Sequence, residues 1–193
     1  LTGKEGAELF CDNERFTRKA AAPEPLRATL LGEGGVQALD GAAHHHRKAM
    51  FMSMMGGDSV ARLGAILQDC WDEAAAGWAA RGGVALYPAM QEILCRAVCA
   101  WADVPLARGE RAQRTHDLAS LFDDAGAKGL RHVRARFARR RVDAWLRAII
   151  DEVRLGRRVP APGTALAIIA GHRDEEGQLL PIEVAAVELC NVL

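Results

Sequence analysis

Apolar residues recur at three- and four-residue spacing along most of this chain, and the alternating pattern of a half-buried strand is nearly absent. On a helix such spacing places the apolar side chains on one face, so a chain of this kind buries its apolar surface by packing helix on helix. The breaks agree with that reading. Gly56 with Gly57, Gly82 with Gly83, Pro105, Gly126 with Gly129, and Pro160 with Pro162 cut the pattern into segments of helical length. The fold class is therefore expected to be mainly α, without internal repeats.

Element by element, TGKEGAELFCDNERF reads as a short helix running into a loop. Pro23, Pro25 and the glycines of LGEGG predict a long irregular connection ending near Gln37. A helix capped by Asp40 should cover 41–54. The next, capped by Asp58 or Ser59, carries Val60, Leu63, Leu67, Cys70, Trp71, Ala74 and Trp78 as a core face, and a third, ended by Pro105, carries Leu86, Met90, Ile93, Leu94, Ala97, Val98 and Trp101. A more polar helix at about 107–122 precedes a long amphipathic one through Trp145, Leu146, Ile149, Ile150 and Val153. After a short helix at 164–169 and the polar turn HRDEEGQ, a last helix starts with Pro181 in its first turn. That helix has no breaker before Leu193, and position 1 is not Met, so the chain reads as an internal piece of a longer protein.

Composition bounds the function. With 193 residues, 50% hydrophobic and 26% charged, the chain can bury one good core. Its 25 basic and 25 acidic residues cancel, so no global field draws it to nucleic acid or to an anionic membrane. Cys11, Cys70, Cys95, Cys99 and Cys190 are an odd, scattered set, which suggests reduced thiols and a cytoplasmic protein. Cys95 and Cys99 lie one helical turn apart, a weak metal signal without a second pair. No apolar run is long enough to cross a bilayer, and no targeting sequence is read at the start.

The segment at 37–55, QALDGAAHHHRKAMFMSMM, joins a helix start to a cationic face and a methionine-rich one. His44 and Lys48 project together one turn apart, with Met52 and Met55 near that stripe, and such a pair can grip an anion. A metal site at His44, His45 and His46 is disfavoured because consecutive helical side chains fan out by about 100° each. A solvated cationic helix face is the competing reading.

In its order of turn, Gln, Asp-Gly and His-x-x-x-Lys, this stretch resembles the C-helix of the cytochrome P-450 superfamily, where a His and a basic residue four positions on meet the haem propionates. Lys48 stands where Arg is commoner. Gln37 leading into LDG and then HRKAMFMS is similar to the peroxygenase branch, which oxidises fatty acids with hydrogen peroxide. EILCRAVCAWADVPL at 92–106, DAGAKG ending at Gly129, and AAVELCNVL at the C-terminus extend the resemblance over essentially the whole chain. It implies a partial haem-thiolate domain over 1–193, from the B helix to the early I helix, truncated at both ends and lacking the axial-cysteine half.

That resemblance implies haem b as cofactor, with His44, Lys48 and Arg18 at the propionates. No cysteine sits in a phenylalanine-and-glycine loop and no Glu-x-x-Arg helix occurs, so the iron ligand is expected beyond Leu193 and no metal ligand within this chain. Gln37 matches the distal position held by Gln or His; on its residues alone it reads as a turn residue bonding the backbone before Asp40. Leu31 matches a substrate-packing position often held by Phe, and Lys128 a position where a small apolar residue is found. The implied reaction is hydroxylation of a long-chain fatty acid at the α or β carbon, with or without decarboxylation, using hydrogen peroxide and no redox partner. The substrate carboxylate, held by the arginine of an Arg-Pro pair after Leu193, would supply the acid-base function. The fragment alone is expected to be inactive.

Three alternatives stand beside this one. An oxygen-dependent P-450 monooxygenase would carry an acid and an alcohol in place of Arg-Pro. Arg131, Arg134, Arg136, Arg139, Arg140 and Arg141 raise a helical nucleic-acid-binding module. Only Phe137 and Trp145 accompany them as aromatics, and the net charge is zero, so a solvated surface is the better reading. A helical partner-binding protein is compatible with the composition, and the family resemblance lowers both this reading and the nucleic-acid one.

Overall fold

The computed structural model describes residues 2–12, 15–78 and 82–193. Its elements run α1 (Gly3–Phe10), α2 (Glu24–Leu26) leading into a π-helical turn (Arg27–Leu31), a 3-10 turn (Val36–Ala38), α3 (Gly41–Met54), α4 (Gly57–Ala76), α5 (Leu86–Ala102), a 3-10 turn (Arg108–Glu110), α6 (Arg111–Asp123), α7 (Leu130–Arg154), α8 (Ala165–Gly171) and α9 (Ile182–Cys190). The polar turn between α8 and α9 is closed by an antiparallel bridge of Arg173 with Leu179, and no strand forms among the described residues. The mainly α expectation holds.

The long helix α7 organises the fold. Its buried stripe, Ala135, Ala138, Val142, Leu146, Ile149 and Ile150, keeps the three-four spacing that the sequence carries, and packs on α6 and α9. Helix α9 is covered nearly all round: Ala185, Ala186, Val187, Leu189 and Cys190 are all buried. Its apolar run AAVELCNVL is that of a core helix. The structure closes it at Cys190, with a turn through Asn191 and Val192, where the sequence pattern reads as helix up to Leu193.

Four local expectations are corrected. The connection read as irregular from Pro23 to Gln37 contains helical turns, because Pro23 occupies the N-cap and Pro25 the first turn, where no N–H is needed. Helix α4 starts from Gly56, not from a side-chain cap at Asp58 or Ser59; Ser59 instead accepts from the Trp101 indole through its carbonyl (3.0 Å) and hydroxyl (3.1 Å). The α4 face read as core holds no fully buried residue, since α4 lies at the edge and packs chiefly on α5; Val60 is 50% exposed, and Trp71 and Trp78 cover each other edge to face at 5.1 Å. In α5, Ile93, Ala97 and Trp101 are buried as expected, but Leu86 and Leu94 are exposed and Cys95 and Cys99 are buried instead, because α4, α6 and α8 enclose that helix from several sides. It ends at Asp103 in a left-handed conformation, φ 62°, two residues before Pro105.

All five cysteines are free thiols. Among the described residues, no helix is long and apolar enough to cross a membrane.

Candidate functional site

The N-terminal end of α3 is fastened to the preceding loop by Asp40. Asp40 holds the N-cap position, and its carbonyl accepts the first helical bond from His44 N–H at 3.3 Å, but its side chain does not cap. The carboxylate turns back and accepts from Arg18 N–H (2.7 Å), Lys19 N–H (3.2 Å) and the Thr17 hydroxyl. The Thr17 hydroxyl and the Arg18 N–H hold the Asp40 carboxyl below the usual carboxylate range. This fastening brings Arg18 to the same side of the molecule as His44 and Lys48.

His44 and Lys48 lie one turn apart on α3, and the Arg18 guanidinium is held 3.8 Å from the Asp40 carboxylate at the start of that helix. The half-buried His44 is pushed below the ordinary histidine range by burial first, then by the positive charges of Arg18, His45 and Lys48, with Asp40 opposing. An anionic group set against them would reverse that push. The three consecutive histidines diverge as helical geometry demands. His45 lies edge to face with His44 at 5.6 Å, while His46 stacks near His172 at 5.1 Å and meets the Arg173 carbonyl through Nε2 at 2.8 Å. Among the described residues no three metal-ligating side chains assemble.

Gln37 sits in the wall between two cavities. One, of about 290 Å³, is lined by Gln37, Thr17, Arg18, Phe10 and Phe16. The other, of about 240 Å³, is apolar, lined by Gln37 with Leu31, Leu118, Leu121, Phe122 and Cys190. The sequence-derived set is thus brought together in part: Gln37 and Arg18 share the first cavity, Gln37 and Leu31 the second. Lys128 is exposed on the loop between α6 and α7 and lines neither.

The residue-based reading of Gln37 as a turn residue is half right. It lies in the 3-10 turn, but its side chain bonds outside the turn: Oε1 accepts from Asn191 Nδ2 at 3.3 Å. Asn191 Nδ2 also donates to Glu188 Oε2 at 2.9 Å, and Glu188 Oε1 accepts from Arg47 at 2.6 Å. Glu188 is wholly buried. Burial pushes its carboxyl up, opposed by hydrogen bonds from Arg47 and Asn191, the Arg47 charge and the Val36 N–H. One network therefore joins α3, the turn at Gln37 and the end of α9.

A second buried charge fixes the segment that carries Leu31. Arg139, 4% exposed, sits within the apolar stripe of α7, and donates to the carbonyls of Thr29 and Leu30 (both 3.2 Å) and to Asp143 (2.8 Å). These are the carbonyls of the π-helical turn, which its own ladder leaves open. A Cβ on Gly32 would lie 2.3 Å from the Arg139 guanidinium and 2.7 Å from Val187, so only glycine admits this contact, and its φ of +77° suits glycine as well.

Five of the six arginines in the series have partners, Arg139 in the core as described and the others at the surface. Arg131 binds Asp124 (2.7 Å), Arg136 binds Glu24 (3.1 Å), Arg141 clasps the buried Asp117 (2.5 Å), and Arg140 lies over the Phe137 ring at 5.7 Å. These partners fix the guanidiniums in several directions around α7, which weakens the nucleic-acid reading. Sequence reasoning missed Arg47, Glu188 and Asn191, and read Arg139 as part of a charged surface series where the structure buries it. Two signals were present: Glu188 is the one charge in AAVELCNVL, and Arg139 occupies a stripe position of α7.

No family model matches the chain. Among solved structures, cytochrome P450SP alpha in complex with (R)-ibuprophen is 47% identical with a TM-score of 0.96, over all of this chain and 47% of that one. Cytochrome P450EX alpha with myristic acid is 44% identical with a TM-score of 0.93, over all of this chain and 46% of that one. Ligand-free cytochrome P450 OleT is 29% identical with a TM-score of 0.96, again over all of this chain and 46% of that one. The chain thus spans about half the length of the structures it matches, and with this identity sustained along its whole length it belongs to the cytochrome P-450 superfamily, in the CYP152 branch that the first two of those structures represent.

Proposed function

We propose that the complete protein is a haem-thiolate peroxygenase that hydroxylates long-chain fatty acids at the α or β carbon with hydrogen peroxide, with or without decarboxylation. The observation that carries this reading is the position of Gln37 between the cavity bearing Arg18 and the apolar cavity beneath Leu31. An amphiphilic substrate needs that combination, an apolar lining for its chain and a polar group beside the reacting carbons. Two matched relatives were solved with ligands of that kind, myristic acid and (R)-ibuprophen.

In this reading His44, Lys48 and Arg18 hold the haem propionates, as the repulsion within their patch suits them to bind carboxylates. Bound haem would supply the cleavage of the O–O bond, with the axial cysteine in the remainder of the complete protein. Leu31 bounds the alkyl chain and excludes water. Gln37 meets a substrate or oxidant oxygen without changing charge. The carboxylate of the substrate, held by an arginine outside this chain, would act as acid and base. Lys128 has no role in this reading.

The test is made on the complete protein, isolated with haem. Incubation with myristic acid and hydrogen peroxide, without any electron donor, should give 2-hydroxy acid, 3-hydroxy acid or the terminal alkene on gas chromatography. No product under those conditions, with product appearing once an electron-transfer partner and oxygen are supplied, would favour the oxygen-dependent alternative.

A further inference from the structure

We infer that Glu188 is a positioning residue: held by Arg47 and acting through Asn191, it determines which end of the Gln37 amide is presented to the cavity. The inference rests on the reading of Gln37 as the distal residue. It follows from donor and acceptor chemistry. A carboxylate only accepts, so Glu188 Oε2 obliges Asn191 to turn its NH2 group towards it at 2.9 Å. The same NH2 then reaches Gln37 and obliges that side chain to offer its oxygen, at 3.3 Å. With its oxygen committed, Gln37 keeps its own NH2 as the polar group for a ligand. The cavity is thereby given a donor, matched to an oxygen of a carboxylate or peroxide.

Each end of the chain of bonds is secured. A buried carboxylic acid tends to take up a proton, and a protonated Glu188 could donate to Asn191 and let both amides turn over. Arg47, itself buried and 2.6 Å away, keeps the carboxylate an acceptor. Above the amides lies Gly35: a Cβ there would come within 2.7 Å of Gln37 Oε1 and 3.3 Å of Asn191 Nδ2. The Val36 N–H also acts on the Glu188 carboxyl, so the turn bearing Gln37 faces the same carboxylate. An amide held for packing alone would not need an acceptor, a donor and an acceptor aligned in this order.

The test is a double-substitution cycle in the complete, haem-loaded protein. Glu188→Gln keeps size but lets the residue present either end, so it should alter the ratio of 2-hydroxy to 3-hydroxy product by about three- to tenfold, the scale of one hydrogen bond. In a Gln37→Ala background the same substitution should leave the ratio unchanged. Asn191→Ser, too short to bridge both partners, is the second variant should Glu188→Gln fail to fold, with the same pair of outcomes expected. A shift of equal size in both backgrounds, or none in either, would overturn the inference. If the parent oxidises no fatty acid, the functional reading falls, and thermal unfolding of the Gln37→Leu and Asn191→Leu cycle decides alone: non-additive midpoints sustain the chain of bonds, additive midpoints overturn it.

Discussion

Charge is handled in opposite ways in two regions of this molecule. Around the segment from Arg27 to Ala38 it is buried and matched with fixed partners: Arg139 on the carbonyls of Thr29 and Leu30, and Arg47 on Glu188. At the start of α3 it is gathered on an open face, where Arg18, itself 3.8 Å from Asp40, joins His45 and Lys48 in pushing down on His44. The first arrangement sets shape. Its charges leave no room for substitution because the low-dielectric interior magnifies any mismatch. The second leaves positive charge beside a cavity and is suited to a ligand that brings carboxylates. A charged residue thus means different things one position apart, at the buried Arg47 and the exposed Lys48, and its surroundings decide which.

If the contrast is right, the largest loss should come from breaking a buried pair. Arg47→Met leaves Glu188 buried without its cation and should cost roughly 3–5 kcal/mol, read by urea unfolding of the complete protein. Acidity sharpens this. Burial already raises the folded-state Glu188 carboxyl, and loss of Arg47 raises it further. The folded variant then keeps a proton that the unfolded chain releases, so its stability falls as pH rises from the ordinary carboxylate range up to the raised value. The deficit against the parent should shrink on acidification; a deficit independent of pH would mean that Glu188 is not the group left exposed to the loss. Next in size, Gly32→Ala should cost roughly 2–4 kcal/mol, combining a forced move of Arg139 and Val187 with a strained φ. An unchanged unfolding midpoint for Gly32→Ala would show that the clamp has slack.

The open face should respond through ligand retention and hardly through stability. In the complete protein, His44→Ala combined with Lys48→Ala should speed haem loss to an acceptor globin by roughly tenfold, more than either change alone. Propionates would favour the charged form of His44, so haem should be held better on the acid side of its titration and lost faster as pH rises through it. Loss at the parental rate in the double variant would remove these two residues from the propionates.

The sequence made the open face legible and left the buried network hidden, for a physical reason. His44 and Lys48 are four apart on one helix, so local geometry alone joins them. Arg47 and Glu188 are 141 residues apart, and nothing local says that they meet. The stripe of α7 was readable because a core face repeats, whereas the α4 face carried the same spacing without becoming core. Periodicity tells which side of a helix is apolar, but how deeply that side is covered depends on neighbours. Gln37 was singled out by resemblance and its turn was foreseeable, yet the direction of its amide depends on Asn191, 154 residues on.

The smallest effect expected is also the one closest to the chemistry. Gln37→His replaces a neutral amide by a ring that, near its unperturbed pKa of about 6.5, can donate or take a proton. A neutral imidazole also offers one acceptor and one donor, but on ring nitrogens that point apart and not from one amide carbon, and its protonated form has no acceptor left for Asn191. Turnover with peroxide should persist, since no charge essential to binding is removed. The ratio of 2-hydroxy acid, 3-hydroxy acid and alkene should shift by about two- to fourfold, under the worth of one full hydrogen bond. The shift should also depend on pH through the histidine range, which the parent, holding glutamine there, should not show. Chromatographic product ratios at matched conversion between pH 5.5 and 8 would read both effects, and ratios identical to the parent at every pH would place Gln37 away from the reacting carbons.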